Sequence, residues 1–214
     1  MTVPQHDLKV PAAAASLAIR TRCGRSEGRG HGIRDEVRAA TRAVHERLHQ
    51  HGGLKAVADG TISRPAYRAL LGHLYGFHLA VERAAGWSGW RSEALKADLA
   101  ALGAPPEAID ALPLCARLPD LRTPERRAGA LYVVEGSALG GRVLAQAVRP
   151  LLGEAEAGRR FFLVGGRPGA WRACLDTMDR MASDAAARRR MIGAAEDTFA
   201  AFEVWLAEWV SDHD

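Results

Sequence analysis

Two stretches of this 214-residue chain carry residue types that could do chemistry. In RAATRAVHERLH, the residues Arg38, Thr41, Arg42, His45, Leu48 and His49 recur at helical spacing and form one stripe. His45 sits where an apolar face of Val37, Ala40 and Val44 gives way to a basic edge. Spacing alone leaves two readings open: a metal ligand, or a polar helix edge with no special role. In YVVEGSALGGRVLAQ, an otherwise strong helix former carries Gly136, Gly140 and Gly141, each costing roughly 1 kcal/mol against alanine. Gly136 and Gly140 are four apart and share a face that has no side chains, with Gly141 beside them. A bare face serves close approach of a neighbouring helix, or a flat ligand whose reactive centre would collide with a Cβ. It also lets the helix bend. A phosphate cradle fits less well, because it needs free N–H groups at a helix start rather than mid-helix.

The remaining candidates are weaker. His73 and His78 are five apart on one helix, so they face different ways and make a poor metal pair. His6, His31 and His213 lie in the termini. Cys23, Cys115 and Cys174 are odd in number, scattered and without a partner at metal-ligand spacing, which argues against a disulfide framework or a zinc site and for a reducing compartment.

These residues must be positioned by helices. Aromatics make up only 6% of the chain and no alternating β-branched run is present, so the pattern is all-α. Ile33 onward is helical to about residue 51, with Gly52 and Gly53 suited to cap it. Ser63 and Pro65 open a helix that runs to about Ala85. Shorter segments follow near 92–102 and after Pro106. Thr123 and Pro124 start a long central helix that Pro150 and Gly153 end, and two more run over about 168–182 and 184–210. The last is amphipathic through Ile192, Ala195, Phe199, Phe202, Leu206 and Trp209. Residues 1–32, with RTRCGRSEGRGHG, read as a disordered arm ahead of one domain at 33–214. The net charge of +4 does not call for nucleic acid, and no apolar run approaches the length that spans a membrane.

Taken together, RAATRAVHERLH and VEGSALGG, about ninety residues apart and followed by FFLVGG and AAEDTFAAFEVWL, resemble the heme oxygenase family. The likeness is strongest to bacterial biliverdin-producing members of the bacteriophytochrome-associated type, and it covers residues 33 to 210. It implies a single-domain helical bundle with a kinked distal helix, and oxidative cleavage of heme to biliverdin, carbon monoxide and ferrous iron with O2 and external electrons. Heme b is then both substrate and cofactor. A cytoplasmic setting, an electron donor such as ferredoxin, flavodoxin or a reductase, and a bacteriophytochrome as biliverdin acceptor follow from the same likeness.

Residue by residue, His45 matches the proximal histidine that binds the heme iron. Arg38 takes the slot of a basic partner for a heme propionate, with Arg42 and Thr41 beside it. Gly136, Gly140 and Gly141 match the glycines over the other heme face, and Phe199 an aromatic residue at the heme edge. Ser137 stands where mammalian-type enzymes carry an aspartate. Leu131 and Leu175 fall where the family often has a tyrosine and an arginine for the propionates, with Tyr132 and Arg172 close by in sequence. His49 follows one turn after His45, where some members have a carboxylate. A heme-binding or heme-transfer protein that does not oxidise its ligand is the alternative reading. A thiaminase-type or di-iron relative lacks the cysteine setting or the Glu and His spacing it would need.

Overall fold

The structure is a computed structural model that describes residues 32–164 and 169–209; the arm read at 1–32 lies, apart from Gly32, outside them. Every regular element among the described residues is helical. Helix α1 (Ile33–His49) has Asp35 and Glu36 in its first turn and Arg47 and His49 in its last, the arrangement the helix dipole favours. Its buried face is Ile33, Val37, Thr41 and Leu48. That differs from the expected Val37, Ala40 and Val44 face: Ala40 is exposed and Thr41 is buried. Thr41 tolerates the core because its Oγ1 donates to the Val37 carbonyl at 2.8 Å, satisfying the hydroxyl within its own helix.

Gly52 and Gly53 do not cap α1. His51 turns the chain in an extended conformation and the glycines open a second helix, α2 (Gly52–Ala58). At Gly53 a Cβ would come within 3.1 Å of the Trp209 ring, so glycine there serves packing. Helix α3 (Arg64–Ala85) follows the sequence closely. The Ser63 hydroxyl accepts the Ala66 N–H, Pro65 occupies the first turn, and left-handed Gly86 closes it.

Helix α4 (Trp90–Ala101) begins earlier than the pattern suggests and has no side-chain cap of its own at Gly89. Glu82 reaches across from α3 instead, accepting the N–H groups of Arg91 at 2.9 Å and Ser92 at 3.3 Å. A short α5 (Pro106–Asp110) leads to α6 (Pro124–Ser137), which starts on the Thr123 cap and Pro124. The single long helix expected from there to Pro150 is broken. It tightens into a 3-10 turn at Ala138–Gly140, resumes as α7 (Gly141–Ala147) and restarts as α8 (Arg149–Leu152) with Pro150 in its first turn. Closely spaced glycines supply the break and proline the restart. Helices α9 (Arg160–Val164), α10 (Ala170–Met181) and α11 (Ala185–Ala207) complete the chain.

Helix α11 is the post against which α1, α6 and part of α3 pack. Ion pairs Arg47–Glu203 and Arg188–Glu36 join like ends of α1 and α11, so the two run parallel. Such exposed pairs add little stability but fix register. On its other side α11 approaches α6 so closely that a Cβ on Gly129 would lie 2.2 Å from the Met191 carbonyl oxygen. No helix among the described residues is long and apolar enough to cross a membrane.

His78 on α3 is 4% exposed, and its Nδ1 finds no hydrogen-bond partner among the described residues. Burial, helped by the nearby Arg91 charge, holds its pKa well below the usual histidine value. An unfolded imidazole takes up a proton near pH 6.5 and the folded one does not, so the unfolded state binds more protons as the pH falls. The stability His78 supplies is complete above that pH and is lost below it. Tm is expected to drop between about pH 7.5 and 5, and to drop less steeply in His78→Leu; equal slopes contradict the assignment.

Candidate active site

Most of the sequence candidates lie on α1, α6 and α10, which all pack on α11, with α10 touching both α1 and α6. His45 is half-buried on α1. Its ring meets the exposed His49 edge-on at 4.5 Å between centroids, and the ring of Phe199 on α11 at 6.1 Å in a T-shaped contact. Burial lowers the pKa of His45 first, the His49 charge adds to this, and Arg38 pushes the same way against Glu46. The imidazole is therefore neutral at physiological pH, the form whose ring nitrogen can donate a lone pair to a metal. Among the described residues no cluster of three or more metal-binding side chains exists, so a metal held here must arrive with ligands of its own.

On α6, Tyr132 is half-buried, and burial raises its pKa against an opposing pull from Arg34 and Arg38 on α1. Its phenol thus sits in the field of two guanidinium groups. Arg34, Arg38 and Arg42 are all exposed, one turn apart, and no ion pair among the described residues engages them. The basic end of the groove suits carboxylates of a ligand.

The three glycines do different jobs. A Cβ on Gly140 would meet nothing within 4 Å, so this position is an open face. At Gly136 a Cβ would stand 3.5 Å from the Trp171 ring, an ordinary contact. A Cβ on Gly141 would lie 2.1 Å from the Phe162 carbonyl oxygen, so Gly141 serves close helix packing against α9. Close helix packing thus accounts for Gly141, while Gly140 faces open space.

Three candidates have partners within their own helices. Thr41 faces the core with its hydroxyl satisfied. The Ser137 hydroxyl donates to the Val134 carbonyl of its own helix at 2.8 Å. Arg172 has a side chain 83% exposed and lies 3.5 Å from Asp176, one turn on. Trp171 was not singled out from sequence. It packs on Tyr132 at 5.2 Å between centroids and over Gly136, and its place one turn before Leu175 on α10 was the available signal. Arg34 likewise continues the basic stripe one turn before Arg38.

The sequence profile of the heme oxygenase family matches residues 32–208. A heme oxygenase of Xanthomonas campestris pv. campestris (strain 8004) is 35% identical over 169 residues, which are 72% of this chain and 96% of that protein. Among solved structures, a heme oxygenase of Leptospira interrogans superposes with a TM-score of 0.68 at 16% identity, covering 83% of this chain and 100% of that one. The NO- and CO-bound heme oxygenase of Neisseria meningitidis gives 0.65 at 24% identity, covering 86% and 96%. Heme oxygenase-1 of Synechocystis sp. PCC6803 in complex with heme gives 0.62 at 19%, covering 83% and 92%. At those identities the structural likeness speaks for the helical fold.

The glycine assignments separate cleanly in a mutant pair. Gly141→Ala forces a Cβ into the Phe162 backbone and is expected to cost about 1–3 kcal/mol, read as a lower Tm. Gly140→Ala meets open space and is expected to leave Tm unchanged or slightly raised. Equal losses in both contradict the division of roles.

Proposed function

The chain belongs to the heme oxygenase family and is an enzyme of heme cleavage, and from that premise we propose that His45 is the iron ligand and the Gly136–Gly140 face the wall over the reacting side. The observation that carries this is a half-buried imidazole kept neutral by its surroundings, its ring edge-on to Phe199, in a fold whose broken helix leaves an open face at Gly140.

The residues present fit heme. His45 offers one neutral nitrogen donor, Phe199 and Trp171 are aromatic surfaces for a flat apolar ring, and Arg34, Arg38 and Tyr132 stand at one end where two propionates need charge-assisted hydrogen bonds. Bound there, heme supplies both the iron that binds O2 and the porphyrin that is opened to biliverdin, carbon monoxide and ferrous iron. The protein's task is to leave room and withhold acid–base side chains on the reacting face. Gly140 leaves that room. The Ser137 hydroxyl donates to the Val134 carbonyl, so it does not take the place of a carboxylate there.

Propionate anchoring moves to α1. Arg172 is engaged with Asp176 and Leu175 is apolar, so Arg38, with Arg42 behind it, carries the carboxylates from the other side of the groove. His49 supports the ligand role of His45 by holding its proton affinity down. Electrons come from an external donor, and the exposed α1 arginines suit an acidic one such as ferredoxin or flavodoxin, or a reductase. A bacteriophytochrome is the acceptor for biliverdin that the VEGSALGG resemblance implies, and the free thiols of Cys115 and Cys174 suit a reducing cytoplasm.

Incubation of the protein with heme, a reductant and O2 is expected to yield biliverdin with loss of the Soret band. An unchanged Soret band contradicts cleavage and favours a heme-transfer role. His45→Ala is expected to lose the normal heme spectrum and turnover, with both restored in part by added imidazole. A wild-type spectrum in that variant contradicts the ligand assignment.

A further inference from the structure

Next to the glycine segment lies a cluster of buried charge that neither heme binding nor the glycines explain. Arg91, the second residue of α4, is 1% exposed, Glu82 is 1% exposed and Glu135, next to Gly136, is 5% exposed. The Arg91 guanidinium lies 3.9 Å from the Glu135 carboxylate and 5.7 Å from the centre of the Phe161 ring, over its face. A cation at a helix N-terminus opposes the helix dipole, and burying it adds a desolvation cost. Apolar side chains would fill the same space at less cost, so the pair calls for another reason to be there.

The connections around it supply one. The break between α6 and α7 is gripped on both sides, and both grips end on α9. On its leading side Glu135 faces Arg91, whose guanidinium stacks on Phe161. On its trailing side Gly141 presses against the Phe162 carbonyl. Helix α9 is in turn started by α4, since the Asp98 carboxylate accepts the N–H groups of Arg160 at 2.9 Å and Phe161 at 2.8 Å. Helix α4 itself is capped by Glu82 of α3. Arg91 near one end of α4 and Asp98 further along it thus refer both sides of the break to a single rigid strut. At 3.9 Å the pair is electrostatic rather than hydrogen-bonded, and in the low-dielectric interior that attraction favours the rotation of α6 that keeps the Glu135 carboxylate turned toward Arg91.

We propose that Glu135 and Arg91 are positioning residues for the heme-cleavage reaction: their buried pair sets the height and rotation of the Gly136–Gly140 face over the groove without touching the substrate. This rests on the reading of that face as the reacting wall. The pair then matters for turnover more than for heme affinity or global stability.

The test compares the wild type with E135Q, R91M and the double variant R91M/E135M. Each is measured without added heme for Tm and for hydrogen exchange of the peptide spanning the break, then with heme for Soret titration and biliverdin formation. R91M alone strands a buried carboxylate and is expected to lower Tm, and the double variant to recover it. Despite that recovery, the double variant and E135Q are expected to exchange about tenfold faster at Gly136–Gly141 and to turn over about tenfold more slowly, with heme affinity held within about threefold. Wild-type exchange or wild-type turnover in the double variant overturns the proposal, because stability alone then accounts for the pair. If the Arg91 variants fail to fold, isosteric E135Q decides by the same two readings. Absence of biliverdin from the wild type would sink heme cleavage itself, while the exchange comparison still decides whether the pair holds the segment.

Discussion

The carboxylate of Asp98 accepts the first two free N–H groups of α9, and the geometry of the glycine side of the molecule is built outward from that contact. Burial raises the Asp98 pKa while the backbone donors pull it down, as expected for a carboxylate that stands in for missing turns of helix. Helix α9 has only five residues, yet its Phe162 carbonyl is the surface against which Gly141 closes and its Phe161 ring lies under Arg91. Glu82 does for α4 what Asp98 does for α9. Short, weakly capped helices are held by buried acids borrowed from neighbours, and the break between α6 and α7 inherits its position from them.

The opposite wall is built differently. Helix α1 lies along α11 through apolar contacts and two surface ion pairs, leaving His45 at the border of core and groove. That border position gives the imidazole enough burial to stay neutral and enough freedom to reach a ligand. In the proposed reading one wall offers a donor atom and cationic side chains, and the other offers backbone. An enzyme that must let its own substrate be attacked needs such asymmetry: firm hold on one side, absence of reactive side chains on the other.

The sequence was most informative where a signal is local. Ser63 with Pro65 and the terminal amphipathic pattern placed α3 and α11 to within a few residues, and Thr123 with Pro124 placed the start of α6. His45 with Phe199 and Gly136 with Gly140 were legible as candidates because each carries a periodic or compositional mark. What sequence could not show depends on partners far along the chain. Gly141 differs from Gly140 only through Phe162, and Gly53 opens a helix because Trp209 fills the space beside it. Thr41 turned inward because a hydroxyl can be satisfied by its own helix, a choice that polarity alone does not predict. Arg172 looked available beside Leu175 until Asp176, one turn on, engaged it. Trp171 and Arg91 carried no motif, Glu135 sat inside VEGSALGG without a role of its own, and only the packing of α10, α4 and α6 gives them meaning.

The central claim is geometric: one heme iron sits between His45 and the Gly136–Gly140 face. Paramagnetic effects in the NMR spectrum of the 15N-labelled ferric heme complex report it directly. The account predicts that the His45 ring and the backbone amides of Gly136 and Gly140 are strongly shifted or broadened, while the amide of Gly129, packed on α11, is not. Unperturbed Gly136 and Gly140 amides beside a perturbed His45 would place the heme elsewhere and contradict it.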